Sequence, residues 1–386
     1  MARSFIVGVD LGSSVTKTVV LSARGDDGAE VLSAVSVPSR GIRHGYVVNI
    51  SAAADSIKRS IQLAEKEAGI QIKRAYFSIG GISLSSETTI GGSIISKSDG
   101  EVTAFDIKTA IASAEEALGL KNKRIVFSTP TGWKVDGKEI HGKPDGMHGV
   151  KLEVKMFYVT CLSQHLDDLV SASAEAGIEV LDIIPSPIAA SNIALSERQK
   201  AVGVILVNIG AETVSIAVFE NNTLIGLSVL PIGSTDITND IALGFRIPLE
   251  EAESIKTGSV MSANYPKRKV DEIVEARFSD IFELVDGYLK KIKRSGLLPA
   301  GIVITGGGSG NGLVEGLARN MLRLPSKVGS GDLLSHIKGP ARDSTWFVSF
   351  GLAMIAREGN SDGRLHTSSG NKAKGLLKEF LRQFLP

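Results

Sequence analysis

The sequence predicts a duplicated α/β fold: two lobes facing a shared cleft, an inserted α+β unit and an amphipathic helix at the C-terminal end. Three observations carry this reading. Phe5 to Leu21, FIVGVDLGSSVTKTVVL, has the form strand, small-polar turn, strand. Val202 to Phe219, VGVILVNIGAETVSIAVF, repeats that plan about half a chain length later, with Asn208 where Asp10 stood and Gly210 where Gly12 stood. Gly301 to Gly312, GIVITGGGSGNG, sets three consecutive glycines, Gly306, Gly307 and Gly308, behind a strand of the fully buried type.

The chemistry of these turns points to phosphate. Gly12 removes a Cβ, so the backbone can approach a phosphate chain and turn its N–H groups inward. Ser13, Ser14 and Thr16 add hydroxyl donors and Lys17 adds a positive charge. Asp10, at the strand's end, is placed to hold Mg²⁺ directly or through water. Taken alone, one such turn reads first as an ordinary polar hairpin. Two copies with a triple glycine, whose backbone can lie flat against a base or ribose, form a far more specific set.

Composition narrows the class. The 386 residues are enough for two or more domains with a large core. A formal net charge of +1 gives no electrostatic support for general nucleic-acid binding. The lone Cys161 excludes an internal disulfide framework and fits a reducing compartment. No signal peptide is apparent in MARSFIVGVD, and no apolar run approaches the ~20 residues that span a bilayer. A cytoplasmic protein is expected. The six histidines lack metal-ligand spacing, and the P-loop, dinucleotide-binding and serine-hydrolase motifs are absent.

Taken in order, the first hairpin is followed by a strand at Val31 to Val37 and the loop PSRGIRHGYVVNI. Ser51 then caps a helix that ends at Gly69, and Arg74 to Ile79 is a short strand. From Ile82 to Thr160 the texture changes. A Gly/Ser/Thr-rich stretch leads to Thr103, which forms a capping box with Asp106 ahead of a helix carrying Ile107, Ala110, Ile111, Ala114 and Leu118. Short strands are expected at Arg124 to Ser128 and Lys151 to Thr160; with no phosphate or acid-base constellation, this region reads as an inserted interaction unit, or else as a structural elaboration of the first lobe. Gln164 to Ala176 is helical, and the small residues Ala189, Ala190 and Ala194 suit a tightly packed helix between lobes. Leu224 to Leu230 is a strand. Pro248 to Lys256 opens a helix whose Glu253 and Lys256 share a face, by themselves a plain surface pair, or contacts to a ribose and base edge if they face a nucleotide. A long helix at Val270 to Ser295 ends in a basic cluster, and Ser344 to Ile355 is a last small-residue helix.

Gly359 to Asn371 reads as a linker by composition. Behind it, Leu376, Leu377, Phe380, Leu381, Phe384 and Leu385 fall at helical spacing, with Lys374, Lys378 and Arg382 off that face. This pattern fits a helix lying in an anionic lipid surface, the alternative being a helix that docks on this protein or a partner. One such helix binds only marginally, so several on one assembly are expected to act together.

With these features together, the sequence resembles the actin/Hsp70/sugar-kinase superfamily and, within it, the FtsA family of bacterial cell division. Segments such as GIRHGYVVNI, PTGWKVDGKEI, PDGMHGVKLEV, AESIK and AGIVITGGGSGNGLVEGLA look like FtsA segments in FtsA order. The resemblance implies a two-lobed actin-like (ribonuclease H-like, duplicated) ATPase fold. Its implied division is subdomain 1A (4–82, 161–192, 342–358), inserted subdomain 1C (83–160), 2A (193–228, 298–341), 2B (229–297), linker 359–371 and membrane helix 372–386. It implies ATP and Mg²⁺ as cofactors. Asp10 (holding the metal through water), Gly12, Ser13, Ser14 and Lys17 would form the first phosphate loop. Asn208, Gly210 and Thr213 would belong to the second, with Gly233 beside it. Glu253 and Lys256 would touch ribose and adenine, and Gly306, Gly307 and Gly308 would cradle the adenosine.

The implied partners are the C-terminal tail of FtsZ on 2B, near the helix at 270–295, further copies of the chain in filaments, an anionic membrane and later division proteins. The implied location is the inner face of the cell membrane at the division site. Two departures stand out. The second loop reads Asn208-Ile-Gly-Ala-Glu-Thr213 where the family pattern is Asp-x-Gly-Gly-Gly-Thr, so Asn208 lacks the charge to hold Mg²⁺ water and Glu212 brings a carboxylate toward a polyphosphate. Nucleotide binding with weak or absent hydrolysis is therefore expected, with catalytic residues unassigned. Ser234 replaces a glycine of the family's Gly-Gly turn. A PilM-like pilus-assembly adaptor and a sugar-kinase-type phosphotransferase are the alternative readings.

Overall fold

Runs of valine, isoleucine and leucine bounded by small polar turns form the strands, and the order in which they pair repeats. The computed structural model describes residues 5–22, 30–259, 265–331 and 343–361. The first lobe runs β1 (Phe5–Leu11), β2 (Val15–Ser22), β3 (Val31–Pro38), a small hairpin of β4 (Ile42–Arg43) and β5 (Tyr46–Val47), α1 (Ile50–Ala68) and β6 (Arg74–Ile79). An insertion follows: β7 (Ser85–Ile94), α2 (Ala104–Glu116), β8 (Lys123–Val135), β9 (Lys138–Ile140) and β10 (Lys151–Leu162). The chain then returns through α3 (Ser163–Glu175), β11 (Glu179–Pro185), α4 (Ser186–Ala194) and α5 (Glu197–Val202).

The second lobe comprises β12 (Val204–Ile209), β13 (Val214–Glu220), β14 (Thr223–Leu230), α6 (Ser234–Phe245), α7 (Leu249–Lys256), α8 (Lys267–Lys291), β15 (Ile302–Thr305), α9 (Val314–Leu322) and β16 (Ser326–Val328). The final helix is α10 (Phe347–Ser361).

The first sheet has the order β11-β6-β1-β2-β3, antiparallel across β1, β2 and β3 and parallel across β1, β6 and β11. The second reproduces it as β16-β15-β12-β13-β14, with the same senses. The insertion's four strands join this second sheet at one bridge, Ser85 to Ser228, where Ser86 Oγ also donates to the Leu227 carbonyl.

Both faces of the second sheet are buried, and they feed different cores. Ile205, Val207 and Ile209 meet Phe278, Ile281, Phe282 and Val285 of α8, whereas Val204, Leu206, Ala217 and Phe219 belong to the cluster that fills the first lobe. The alternation follows the two-residue period of a strand. At the junction, α4 packs on α10 so closely that a Cβ on Gly351 would lie 1.9 Å from the Ala189 carbonyl. The expected tight helix pair is thus α4 with α10. A third core, including Trp133, Leu152, Val154, Met156, Ala110 and Ala114, holds α2 against the insertion's sheet.

Several local expectations hold. Thr103 and Asp106 form the capping box; the Asp106 carboxylate also accepts from Ser96 N at 2.9 Å, and these bonds, led by the Thr103 hydroxyl, bring its pKa down to about 2. Others are corrected. The cap of α1 is Asn49, whose Oδ1 accepts from Ala52 N at 2.9 Å, because Ser51 already lies inside the first turn. The short strand expected at Arg124 to Ser128 is the first part of β8, which continues past Pro130. There the register shifts opposite Lys155 and Met156, so a bulge absorbs the missing N–H. β7 occupies part of the Gly/Ser/Thr-rich stretch, and the β4–β5 hairpin lies in what reads as a loop.

Gly359–Ser361, read as the start of the linker, continue α10, with no proline or β-branched residue to end it. The remaining linker and the amphipathic helix expected at 372–386 lie outside the described residues. Among those described, no helix is long and apolar enough to cross a membrane.

One half-buried acid opposes the fold. Asp182 on β11 is desolvated, and its carboxyl is pushed up to about 7 despite the bond it accepts from Ile183 N at 2.8 Å. The folded chain therefore binds this proton more tightly than the unfolded chain, so stability falls as pH rises from about 4 toward about 7. Asp182→Asn should remove that slope and raise stability at pH 8 by roughly 3 kcal/mol, read from urea denaturation at pH 5 and pH 8.

Candidate functional site

The two glycine turns close in the same way. Gly12 N donates to the Val15 carbonyl at 3.2 Å, and Gly210 N donates to the Thr213 carbonyl at 2.9 Å. The shared backbone geometry extends the sequence repeat to atomic detail.

Around the first turn, Asp10 and Lys17 face each other across β1 and β2. Asp10 Oδ1 accepts from Ser78 Oγ at 2.6 Å. Desolvation pushes its pKa up, against the opposing effects of Ser78 and Lys17. The Lys17 ammonium donates to the Thr345 carbonyl and lies 4.9 Å from the centre of the Trp346 ring. Burial lowers its pKa, partly offset by Asp10 and Asp343. Ser13 Oγ accepts from Gly45 N at 3.0 Å, while Ser14 contributes its carbonyl to Ser39 N at 2.9 Å.

The second turn carries more neighbours. Ser234 N and Thr235 N, at the start of α6, donate to the Gly210 and Ala211 carbonyls at 2.9 and 2.8 Å. Gly233 passes so near that a Cβ there would lie 2.3 Å from the Ala211 carbonyl. Lys256 reaches Glu253 at 2.7 Å, Thr238 Oγ1 at 2.8 Å and the Ser234 carbonyl at 3.1 Å. Glu253 and Lys256 are therefore an anchored pair against α6 rather than two free surface charges. Burial raises the Glu253 pKa, but the bonds from Lys256 and Thr238 outweigh it and the net shift is downward.

The glycine run completes the set. Gly306 has φ +87°, and a Cβ there would stand 2.2 Å from Asn208 Oδ1 and 2.5 Å from the Ile209 carbonyl. Gly307, by contrast, is exposed and has nothing within 4 Å of its would-be Cβ. Ser309 Oγ meets Ser344 Oγ at 3.0 Å, so the run links back to the Ser344–Trp346 turn and to Lys17.

The sequence-derived site residues thus form two groups: Asp10, Gly12, Ser13, Ser14 and Lys17 on one lobe; Asn208, Gly210, Thr213, Gly233, Glu253, Lys256 and Gly306–Gly308 on the other. The connecting residues escaped the sequence reading. Ser78, Thr238, Ser309 and Thr345 come from distant positions with no local signal. The His44-Gly45 turn had one, since His-Gly suits a two-residue hairpin with both φ positive, here 47° and 77°. The Glu212 carboxylate, expected to face a polyphosphate, instead accepts from His44 N at 2.6 Å.

Among the described residues no cluster of three or more His, Cys, Asp or Glu could hold a metal ion. A single desolvated carboxylate is nonetheless what Mg²⁺ needs where phosphates and waters supply its other ligands. Asp10 fits that role.

The duplicated sheet with an insertion after β6 has counterparts among known proteins. The family model "Cell division protein FtsA" matches residues 205–350, and the model "SHS2 domain inserted in FTSA" matches residues 81–160. A cell division protein FtsA from Pseudomonas aeruginosa is 32% identical over 95% of this chain and 92% of its own length. The chain belongs to the FtsA family.

The actin-like fold is shared more widely than the FtsA family. A structure titled as the PilM–PilN type IV pilus biogenesis complex has TM-score 0.68 at 16% identity, covering 92% of this chain and 98% of that one. MreB5 of Spiroplasma citri bound to ADP has TM-score 0.52 at 13% identity, covering 94% and 99%. At these identities the likeness shows the fold alone.

The glycine contacts separate folding from binding. Gly306→Ala should cost about 2–4 kcal/mol in thermal or urea unfolding, because its φ and its contact with Asn208 both resist a side chain. Gly307→Ala should leave stability within about 0.5 kcal/mol of wild type in the same measurement.

Proposed function

We propose that this FtsA-family cell-division protein binds ATP with Mg²⁺ between its lobes, polymerises on the cytoplasmic face of the membrane and tethers FtsZ filaments there. The observation that carries the nucleotide part is the pair of equivalent glycine turns, Gly12 and Gly210, presented by two sheets of the same strand order. In this reading Gly12, Ser13, Ser14, Lys17, Gly210 and Thr213 hold the phosphates, Gly306–Gly308 cradle the adenosine, and Glu253 and Lys256 meet ribose and adenine. Asp10 holds a water of Mg²⁺, which when bound neutralises phosphate charge.

Asn208, neutral at the position equivalent to Asp10, leaves the cleft one carboxylate short and favours binding over rapid hydrolysis. The assembly part assigns residues 83–160 to contacts between copies and the α8 region of 229–297 to the FtsZ tail. Residues 372–386 are assigned to the lipid surface.

Calorimetry with ATP and Mg²⁺ on the wild-type chain should give saturable binding. Gly307→Val, which adds bulk where nothing in the fold objects, should weaken it about tenfold or more at unchanged melting temperature. No binding by the wild-type chain would reject the nucleotide reading. For the tether, anionic vesicles should pellet the full chain but not a version ending at Gly370; equal pelleting would reject the membrane assignment.

A further inference from the structure

Two successive backbone N–H groups of one turn divide between the lobes. In the β4–β5 hairpin, Gly45 N donates to Ser13 Oγ of the first glycine turn at 3.0 Å, and His44 N donates to Glu212 Oε2 of the second at 2.6 Å. His44 Nδ1 also lies 3.2 Å from the Glu212 carbonyl. The turn packs closely on Gly81, where a Cβ on Gly45 would lie 2.4 Å from Gly81 N. Its far side is pinned as well. His165 Nε2 donates to the Gly45 carbonyl at 2.9 Å, and His165 Nδ1 accepts from Ser83 Oγ at 2.9 Å.

We infer that Glu212 is a latch that holds the two lobes together in the absence of nucleotide. The carboxylate sits at the tip of the β12–β13 turn, two residues beyond Gly210, where the first lobe's turn carries Ser14. A serine there is too short to cross. Glu212 is only 21% exposed, so its bond to His44 N is a charge-assisted bond shielded from water. Arg43 adds little: it approaches Glu212 at 4.0 Å and is 72% exposed. The first-lobe side of the latch is a fixed hairpin, so the contact does not need to order a loose segment before it forms.

The consequence concerns regulation. In a cleft protein without such a contact, ligand supplies the differential affinity that closes the lobes. Here an intramolecular carboxylate supplies part of it, so the closed shape is populated before nucleotide arrives and nucleotide changes shape less. The significance of this rests on the cleft being the nucleotide site proposed above; the contact itself does not.

The test is a distance between lobes measured without ligand. Spin labels are placed on Lys58→Cys in α1 and Glu250→Cys in α7, both exposed; Cys161 is buried and needs no replacement. Pulsed electron paramagnetic resonance on the nucleotide-free full chain should give one narrow distribution that ATP with Mg²⁺ barely moves. Glu212→Ala should shift the open-to-closed ratio toward open by about ten- to a hundredfold, the worth of one charge-assisted bond, and ATP with Mg²⁺ should restore the closed distance. Glu212→Gln keeps an acceptor for His44 N and should fall between the two.

Arg43→Ala should leave the wild-type distribution in place. A nucleotide-free Glu212→Ala distribution superimposed on wild type, with the melting transition intact, overturns the latch. A shift in Arg43→Ala as large as that in Glu212→Ala overturns it too. Because the comparison is made without nucleotide, a wild-type chain that fails to bind ATP rejects the cleft assignment and leaves this result to be read on its own.

Discussion

The fold depends on a sheet that must be covered on both sides. β12, β13 and β15 carry apolar residues at nearly every position, so leaving either face in water would forfeit on the order of 1.5–3 kcal/mol per large side chain. One face is closed by α8 and its neighbours. The other can be closed only by the first lobe, and its residues join that lobe's core. The lobes are thus held together by hydrophobic burial at the α4–α10 side, which leaves the opposite side, where the glycine turns sit, free to differ in detail.

Within that frame the two glycine turns have unequal electrostatics despite their equal backbones. The first turn keeps an acid and a base, Asp10 and Lys17, opposed and partly desolvated, each shifted toward its neutral form by burial and back by the other. Desolvation makes such a pair costly, and the bonds from Ser78 to Asp10 and from Lys17 to the Thr345 carbonyl offset part of that cost. The second turn has only Asn208 at the equivalent place, and its carboxylate, Glu212, is displaced to the tip, where it is consumed by His44. The first turn thus keeps its acid and base within one lobe, while the second turn's carboxylate is bonded to the other lobe.

The sequence made the duplication legible because period-two burial and glycine position are local properties. The capping box at Thr103 is equally local. β7 was hidden because Ser, Thr, Gly91 and Gly92 weaken its strand signal; Gly91 is there because α2 packs against it, with a would-be Cβ only 2.2 Å from the Ala110 carbonyl. Pro130 concealed the length of β8, since only the tertiary register reveals the bulge. Asn49 and Ser51 are both good caps, and which one serves depends on where the preceding hairpin delivers the chain. The site's glycines and charges were readable one by one. That Glu212 would bond to the other lobe was not, because nothing near residue 212 encodes the arrival of residue 44.

The insertion is wired into the same network. It leaves the first lobe just after Gly80-Gly81, the segment against which the His44-Gly45 turn is wedged, and its first residues include Ser83, held by His165. His165 is neutral-favouring, its pKa lowered by burial, so it can donate to the Gly45 carbonyl at one nitrogen while accepting from Ser83 at the other. A movement of the β4–β5 turn would have to break this arrangement or carry the base of the insertion with it. Three hydrogen bonds, Glu212 to His44, Gly45 to His165 and His165 to Ser83, thus run in sequence from the second lobe's glycine turn to the root of the insertion.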